Sequence, residues 1–202
     1  CKGRQTMEVI EFVRQLIRKK TDWNEHMVVL QLDVSRAFDS IRHDVLEDVL
    51  HRDLVPNKLV LSIMREISLT NMHVQFQDTA AAADILLSLG GKQGGSDTPE
   101  LWKRLADSAS RRASVRWRTE NLGILLPFDY PQDDEWISHM FWADDYYVVA
   151  NNRVEAQRMF VILTEEIQAS MLTWKPSSLQ VLCTDALEND VEWNIVAGNG
   201  AW

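Results

Sequence analysis

The sequence predicts an α+β fold in which helices and strands mix around an antiparallel sheet. Three observations lead there. Residues 27–34 form a compact apolar run, the pattern of a buried strand. Residues 136–142 and 146–150 are apolar runs separated by Ala143-Asp144-Asp145, the pattern of a hairpin. Residues 154–170 carry Ala156, Met159, Phe160, Leu163 and Ile167 on one side at helical spacing.

The remaining elements follow in order. Thr6 reads as the N-cap of a helix to about Lys20, with Ile10, Val13 and Ile17 on one face. Glu8 near its start and Arg18, Lys19 and Lys20 at its end suit the helix dipole. After the first strand come helical patterns at 43–51 and 56–69, the second with Pro56 in a tolerated first-turn position. Residues 71–77 and 84–89 read as short strands, ended by Gly90-Gly91. Thr98-Pro99-Glu100 predicts a helix start with Thr98 as the capping hydroxyl. That helix turns Trp102, Leu105, Ala106 and Ala109 inward. Residues 179–183 read as a last strand. The acidic tail at 186–202 has no assignment.

Length and composition narrow the class. The chain has 202 residues, 46% apolar and 25% charged, with 8 Gly and 5 Pro, which fits neither a disordered nor a fibrous chain. Its two cysteines, Cys1 and Cys183, stand at opposite ends, which excludes a disulfide framework and a cysteine-rich zinc site. No apolar run approaches the ~18 residues of a membrane span, and no signal peptide is visible. A first residue of Cys rather than Met reads as a segment of a longer protein, and the cysteine usage fits a reducing compartment inside the cell rather than secretion.

The net charge of −9 argues against a chain coated in positive charge, but it is unevenly spread. Residues 1–20 hold six basic side chains against Glu8 and Glu11, and residues 103–118 hold six against Asp107. Within the second run Arg104, Arg111 and Arg118 recur every seven residues. They read either as a stripe along a nucleic-acid backbone or as a solvated helix face.

Three stretches combine unusual residues with strand-end or turn positions: Asp33-Val34-Ser35-Arg36-Ala37-Phe38-Asp39, Gly90-Gly91-Lys92-Gln93-Gly94-Gly95-Ser96-Asp97-Thr98-Pro99, and Phe141-Trp142-Ala143-Asp144-Asp145-Tyr146-Tyr147. Asp33 ends a strand so apolar that its carboxylate needs a cation or donor partner. Asp144 and Asp145 are adjacent acids flanked by aromatic and apolar residues, and a divalent cation is the simplest way to hold such charges together. Oxygen donors without His or Cys suit Mg²⁺ or Mn²⁺ rather than zinc. Two such ions form the clamp used for in-line phosphoryl transfer.

In order and content these motifs resemble those of reverse transcriptases, most closely the enzymes of non-long-terminal-repeat retrotransposons. Asp33…Phe38-Asp39 is similar to the family's Asp-x-x-x-Ala-Phe-Asp, and Gln93-Gly94…Thr98-Pro99 to its Gln-Gly-x-x-x-Ser-Pro. Ala143-Asp144-Asp145 is similar to its Ala-Asp-Asp hairpin, with Trp142 where Tyr is usual. Gly3-Arg4-Gln5-Thr6 resembles a Gly-Arg-Ser-Thr segment of the fingers. The separations, 60 residues from Asp33 to Gln93 and 51 from Gln93 to Asp144, are family-like.

The resemblance implies a polymerase palm, an antiparallel sheet with helices packed on one face, at 27–185 with inserted fingers segments. Residues 1–26 would belong to the fingers, with the thumb and flanking domains absent. It implies RNA-templated DNA synthesis by two-metal-ion nucleotidyl transfer, with an RNA template, a DNA primer and dNTPs as partners and no membrane. Asp33, Asp144 and Asp145 would be the catalytic and metal-binding acids for two Mg²⁺ (or Mn²⁺) ions. Backbone at Val34 and Ser35 would cradle triphosphate oxygens, Gln93 and Gly94 would lie against the incoming nucleotide, and Phe38 would pack under its sugar. Arg4 would contact template or triphosphate, or be a solvated surface residue. Lys175 would stand in for the lysine of the family's fourth palm motif, about three positions early. The site of action would be the nucleus or the cytoplasm.

Two alternatives stand beside this reading. An RNA-dependent RNA polymerase shares the palm and hairpin but usually carries an acid five residues after the first aspartate, where this chain has Phe38. A non-catalytic remnant of the palm that binds nucleic acid or a partner is the other.

Overall fold

The computed structural model describes residues 6–69, 71–75, 82–86, 89–91, 95–126, 135–185, 196–197 and 200–201. The elements are α1 (Thr6–Asp22), β1 (Val28–Asp33), α2 (His43–Arg52), α3 (Asn57–Ser68), β2 (Asn71–Gln75), β3 (Ala82–Leu86), α4 (Thr98–Thr119), β4 (Ile124–Leu126), β5 (Glu135–Ile137), β6 (His139–Trp142), β7 (Asp145–Ala150), α5 (Arg153–Ala169), a 3-10 turn (Pro176–Ser178), β8 (Gln180–Cys183), β9 (Val196–Ala197) and β10 (Gly200–Ala201). They form two compact units. One comprises Cys1–Val34, Ser110–Glu166 and Thr173–Trp202; the other comprises Ser35–Ala109 and Ile167–Leu172.

The first unit is built on a four-stranded antiparallel sheet in the order β6-β7-β1-β8. Because strand side chains alternate, β1 and β7 give the sheet two different faces. Val28, Leu30 and Leu32 stand opposite Ala150, Val148 and Tyr146, and all six are buried. The second half of α4, with α5, covers this face. Trp117 meets the His139 ring edge-on at 5.3 Å and donates its indole N–H to the Met159 carbonyl at 3.1 Å. Ser110 Oγ lies 3.4 Å from the Tyr146 hydroxyl. Burying each such large apolar side chain is worth about 1.5–3 kcal/mol, so this face contributes substantially to the unit's cohesion.

The opposite face changes character along its length. At one end Val29 and Val149 pack with Leu16 of α1, Met27, Ile124, Leu126 and Ile137. Helix α1 therefore adds cover on the face away from α4 and α5. Its end is anchored by Lys20, which is buried and donates to Glu25 Oε2 at 2.5 Å and Asn151 Oδ1 at 3.0 Å. Further along, Gln31 faces Tyr147, and at the far end Asp33 faces Asp145.

An ion network ties α4 to α5. Arg112 reaches Glu166 at 2.7 Å, and Arg116 reaches Glu166 at 3.0 Å and Glu165 at 2.6 Å. Arg158 of α5 meets Glu120, just past α4, at 2.6 Å. Much of the basic run is therefore neutralised inside the protein, and in the second unit Arg104 pairs with Asp53 at 3.3 Å and Glu100 at 3.7 Å.

The second unit holds α2, α3, the β2–β3 hairpin and the first half of α4, whose Trp102, Leu105, Ala106 and Ala109 are buried as their spacing predicts. Gly90, at φ 85°, donates its N–H to the Ile41 carbonyl, and Gly91 donates to the Phe38 carbonyl. A Cβ on Gly90 would stand 3.1 Å from Asp39 Cα, and one on Gly91 only 2.3 Å from Thr98 Cγ2. The glycine pair is thus the contact point between the turn after Asp33 and the start of α4, and it does not end β3, which stops at Leu86.

The structure departs from the sequence expectation or adds to it at several points. The run 136–142 breaks at Ser138 into β5 and β6, because β5 leaves the main sheet to pair with β4, which has no sequence signal of its own. Helix α4 is capped by Asp97, whose carbonyl accepts the N–H groups of Glu100 and Leu101, so Thr98 is already helical. Helices α1, α2, α4 and α5 each end in a left-handed residue that is not glycine: Asn24, Leu54, Asn121 and Met171. Each is followed by a closing bond across six residues, as from Val55 N–H to the Leu50 carbonyl.

This packing generates two predictions. Leu54 is 88% exposed and held at φ 57°, a region that costs a side chain about 1–2 kcal/mol. Leu54→Gly is expected to raise stability by about 0.5–1 kcal/mol in urea unfolding. His139, half-buried against Trp117, has its pKa pushed down to about 4 by burial. The folded state prefers the neutral ring, so stability is complete above the unfolded value of about 6.5 and falls as pH drops towards 4. Urea midpoints at pH 7 and 4.5 should show a loss of up to about 2 kcal/mol in wild type that is absent in His139→Gln.

Candidate active site

The carboxylates gather where the open face of the sheet runs out of apolar residues. Asp33 is the last residue of β1 and Asp145 the first of β7, and the register sets them directly opposite each other. Both lie on the face of Gln31 and Tyr147, not on the buried face, so neither is forced into the apolar core. Asp144 stands in the two-residue loop between β6 and β7, which Trp142 and Asp145 close as a pair. Ala143 in that loop takes φ 56°, the positive sign that tight hairpins require at their first loop position and that glycine usually supplies. A non-glycine residue held there is a small store of strain of the kind found at functional turns.

Asp145 responds to both of its acidic neighbours. Burial pushes the Asp145 carboxyl above the usual carboxylate range, and the charges of Asp144 and Asp33 push it the same way. A hydrogen bond from Gln31 and the charge of Lys175 act in the opposite direction. The partner that the sequence requires for Asp33 is Lys175, whose Nζ lies 3.3 Å from Asp33 Oδ2. The backbones are tied as well, since Lys175 N–H donates to the Asp33 carbonyl at 2.9 Å and Val34 bridges Trp174.

Trp174 anchors this segment. It is buried, donates its indole N–H to Thr164 Oγ1 at 2.9 Å and packs edge-on against Tyr146 at 5.5 Å. Tyr146 is thus gripped between Trp174 and Phe141, 4.5 Å away, which fixes the strand that carries Asp145.

Ser35 and Phe38 belong to the second unit. They lie in a turn that reverses at Arg36, φ 49°, and is closed by Ser40, whose Oγ donates to the Ser35 and Arg36 carbonyls. The Phe38 ring is 38% exposed and stands edge-on to Trp102 at 6.3 Å. It is a supported, partly open ring, not a closed core aromatic. Arg4, Gln93 and Gly94 lie outside the described residues.

Among the described residues no three His, Cys, Asp or Glu side chains form a ready-made metal cage. The donors present still fit a hard divalent ion. Mg²⁺ keeps several waters and is held at nucleotide sites by one or two carboxylates with substrate phosphates, so it needs no protein cage. The oxygen-only set and the mutual repulsion at Asp145 are the chemistry such an ion would relieve.

Three contributors escaped the sequence reading. Gln31 is the lone polar residue two positions before Asp33, and strand alternation alone puts it on the same face. Trp174 and Thr164 carry no signal short of the fold, because no strand or helix period marks a pair ten positions apart.

Comparisons with known proteins bear on the family and the fold. Residues 2–191 match the family model described as reverse transcriptase (RNA-dependent DNA polymerase). No curated protein sequence matches the chain. Among solved structures, apo telomerase from Candida tropicalis truncated from its C-terminal domain has a TM-score of 0.64 at 12% identity, covering 91% of this chain and 36% of that one. Candida tropicalis telomerase in complex with a TWJ fragment of telomeric RNA gives 0.65 at 12% identity, with 91% and 30% covered. The corresponding Candida albicans complex gives 0.56 at 10% identity, with 96% and 33% covered. At such identities the likeness shows the fold alone, and the chain spans about a third of the length of these proteins. The matched span contains β1, the β6–β7 hairpin and the Lys175 segment, and the chain belongs to the reverse transcriptase (RNA-dependent DNA polymerase) family.

Proposed function

We propose that the chain carries the catalytic carboxylates of an RNA-templated DNA polymerase of the retrotransposon type, acting inside the cell. The observation that supports this best is the strand-end pair Asp33–Asp145 with Asp144 in the adjoining turn, in a chain of this family. In the reaction the primer 3′-hydroxyl oxygen forms a bond to the α-phosphorus of a dNTP. The bond from that phosphorus to the β-phosphate oxygen breaks, pyrophosphate leaves with the electron pair, and the hydroxyl proton is lost.

Asp33 and Asp144 would hold two Mg²⁺ ions, with Asp145 beside them as a nearby negative charge. When bound, the metal supplies charge stabilisation at the attacking and leaving oxygens, worth several kcal/mol. The protein's own part is positioning. Backbone at Val34 and Ser35 would meet triphosphate oxygens, Gln93 and Gly94 would lie against the nucleotide, and Lys175 and Arg4 would add positive charge near the phosphates. Phe38 would form the floor beneath the 2′ carbon of the sugar. Its edge-on support from Trp102 and its exposure favour this over a purely structural role.

Two experiments test the proposal in the enzyme that contains this chain. Asp144→Asn should reduce Mg²⁺-dependent primer extension on an RNA template by at least about two powers of ten with the fold intact, since an amide is a poor ligand for a hard cation. Extension at the wild-type rate would remove the hairpin from the site. Phe38→Val should admit ribonucleotides, because the ring no longer excludes a 2′-hydroxyl that has no partner there. The deoxy-to-ribo incorporation ratio is expected to fall by about one to two powers of ten. An unchanged ratio, with stability lowered by a few kcal/mol, would make Phe38 a packing residue.

A further inference from the structure

We infer that Lys175 is a built-in counter-cation for Asp33 that a divalent ion must displace, so that metal loading and release of the Lys175 side chain are one coupled event. The inference rests on the proposed metal-binding role of Asp33 and concerns what that carboxylate does when no metal is present.

Four observations carry it. The Lys175 ammonium lies 3.3 Å from Asp33 Oδ2, the same carboxylate that ends β1 opposite Asp145. The backbone of Lys175 is fixed from both sides. Its N–H donates to the Asp33 carbonyl, and its own carbonyl accepts from Ser178 N–H at 3.1 Å and Ser178 Oγ at 2.7 Å. The preceding Trp174 is locked by Thr164 and Tyr146, and the following Pro176 starts a 3-10 turn. Only the side chain is left to move, and it is 54% exposed while that of Asp33 is 19% exposed. The cation can therefore swing into solvent, whereas the carboxylate cannot follow it.

The physical consequence is competition. Lysine is a compact point charge on a flexible stem, and one such charge offsets Asp33 without the geometric demands of a coordination shell. A divalent ion brought to the same oxygens repels the ammonium strongly at this distance. The pair explains how like charges are tolerated at the end of β1 and β7 before a metal binds.

The test is a Mn²⁺ titration of the 202-residue chain without nucleotide, following free Mn²⁺ by electron paramagnetic resonance. Lys175→Met and Lys175→Gln should both bind Mn²⁺ about fivefold more tightly than wild type at low ionic strength, with the gain shrinking in high salt. Lys175→Arg, which restores the cation, should return the affinity to within about twofold of wild type. In an Asp33→Asn background, Lys175→Met should produce no gain, since the oxygen being contested is gone. If wild type binds Mn²⁺ and neither neutral variant binds more tightly, the inference is overturned alone. A gain that persists in Asp33→Asn overturns it equally. If neither wild type nor Lys175→Met binds Mn²⁺, the metal-binding role of Asp33 falls, and the inference with it.

Discussion

The strand-end site depends on the antiparallel register in which Asp33 of β1 faces Asp145 of β7. Side chains alternate strictly along a strand, so a slip of one residue between β1 and β7 would part the two acids and carry one of them to the face covered by α4 and α5. The register is held by the other residues of the same strands. Val28, Leu30 and Leu32 stand opposite Ala150, Val148 and Tyr146 in this pairing, and all six are buried. The cost of misplacing a carboxylate and the gain from burying the aliphatic rows therefore enforce the same alignment. The site is precise because its positions are tied to those of the core.

The open face of the sheet shows how one strand serves packing and chemistry together. From Val29 through Gln31 to Asp33, β1 passes from an apolar cluster under α1 to a hydrogen-bonding amide and then to a charge. Each step is two residues, the strand period. Around the far end, Trp174 and Phe141 grip Tyr146 from the buried side, so the backbone that bears the acids is stiff while their oxygens stay accessible. On the proposed reading this rigidity is what lets a small number of carboxylates meet a cation and phosphates without rearrangement.

Much of this was legible in the sequence, for identifiable reasons. The apolar run ending in Asp33 and the paired acids in a short turn are local signals, and strand period and turn chemistry translate them directly. Helices α2, α3 and α5 begin and end close to where their spacing predicts. What could not be read were long-range and backbone-level facts. The Lys175 partner of Asp33 lies 142 residues away in the chain. Helix ends at Leu54 and Met171 use a left-handed conformation without the glycine that would announce it. The short β4 is defined only by its partner β5, and the break at Ser138 exists because that pairing pulls β5 out of the main sheet. The pairing of Arg112 and Arg116 of the basic run with Glu165 and Glu166 is likewise a fact of the fold and not of the local sequence.

The central claim is that the end of the β1–β7 ladder is where a divalent ion meets this protein. Anomalous diffraction from crystals grown with Mn²⁺ tests it most directly. The account predicts an anomalous peak within ligand distance, about 2.0–2.3 Å, of carboxylate oxygens of Asp33 and Asp144, with the Lys175 ammonium withdrawn from Asp33. A fully occupied Mn²⁺ elsewhere, with none at the strand end and the Lys175–Asp33 pair intact, would contradict it.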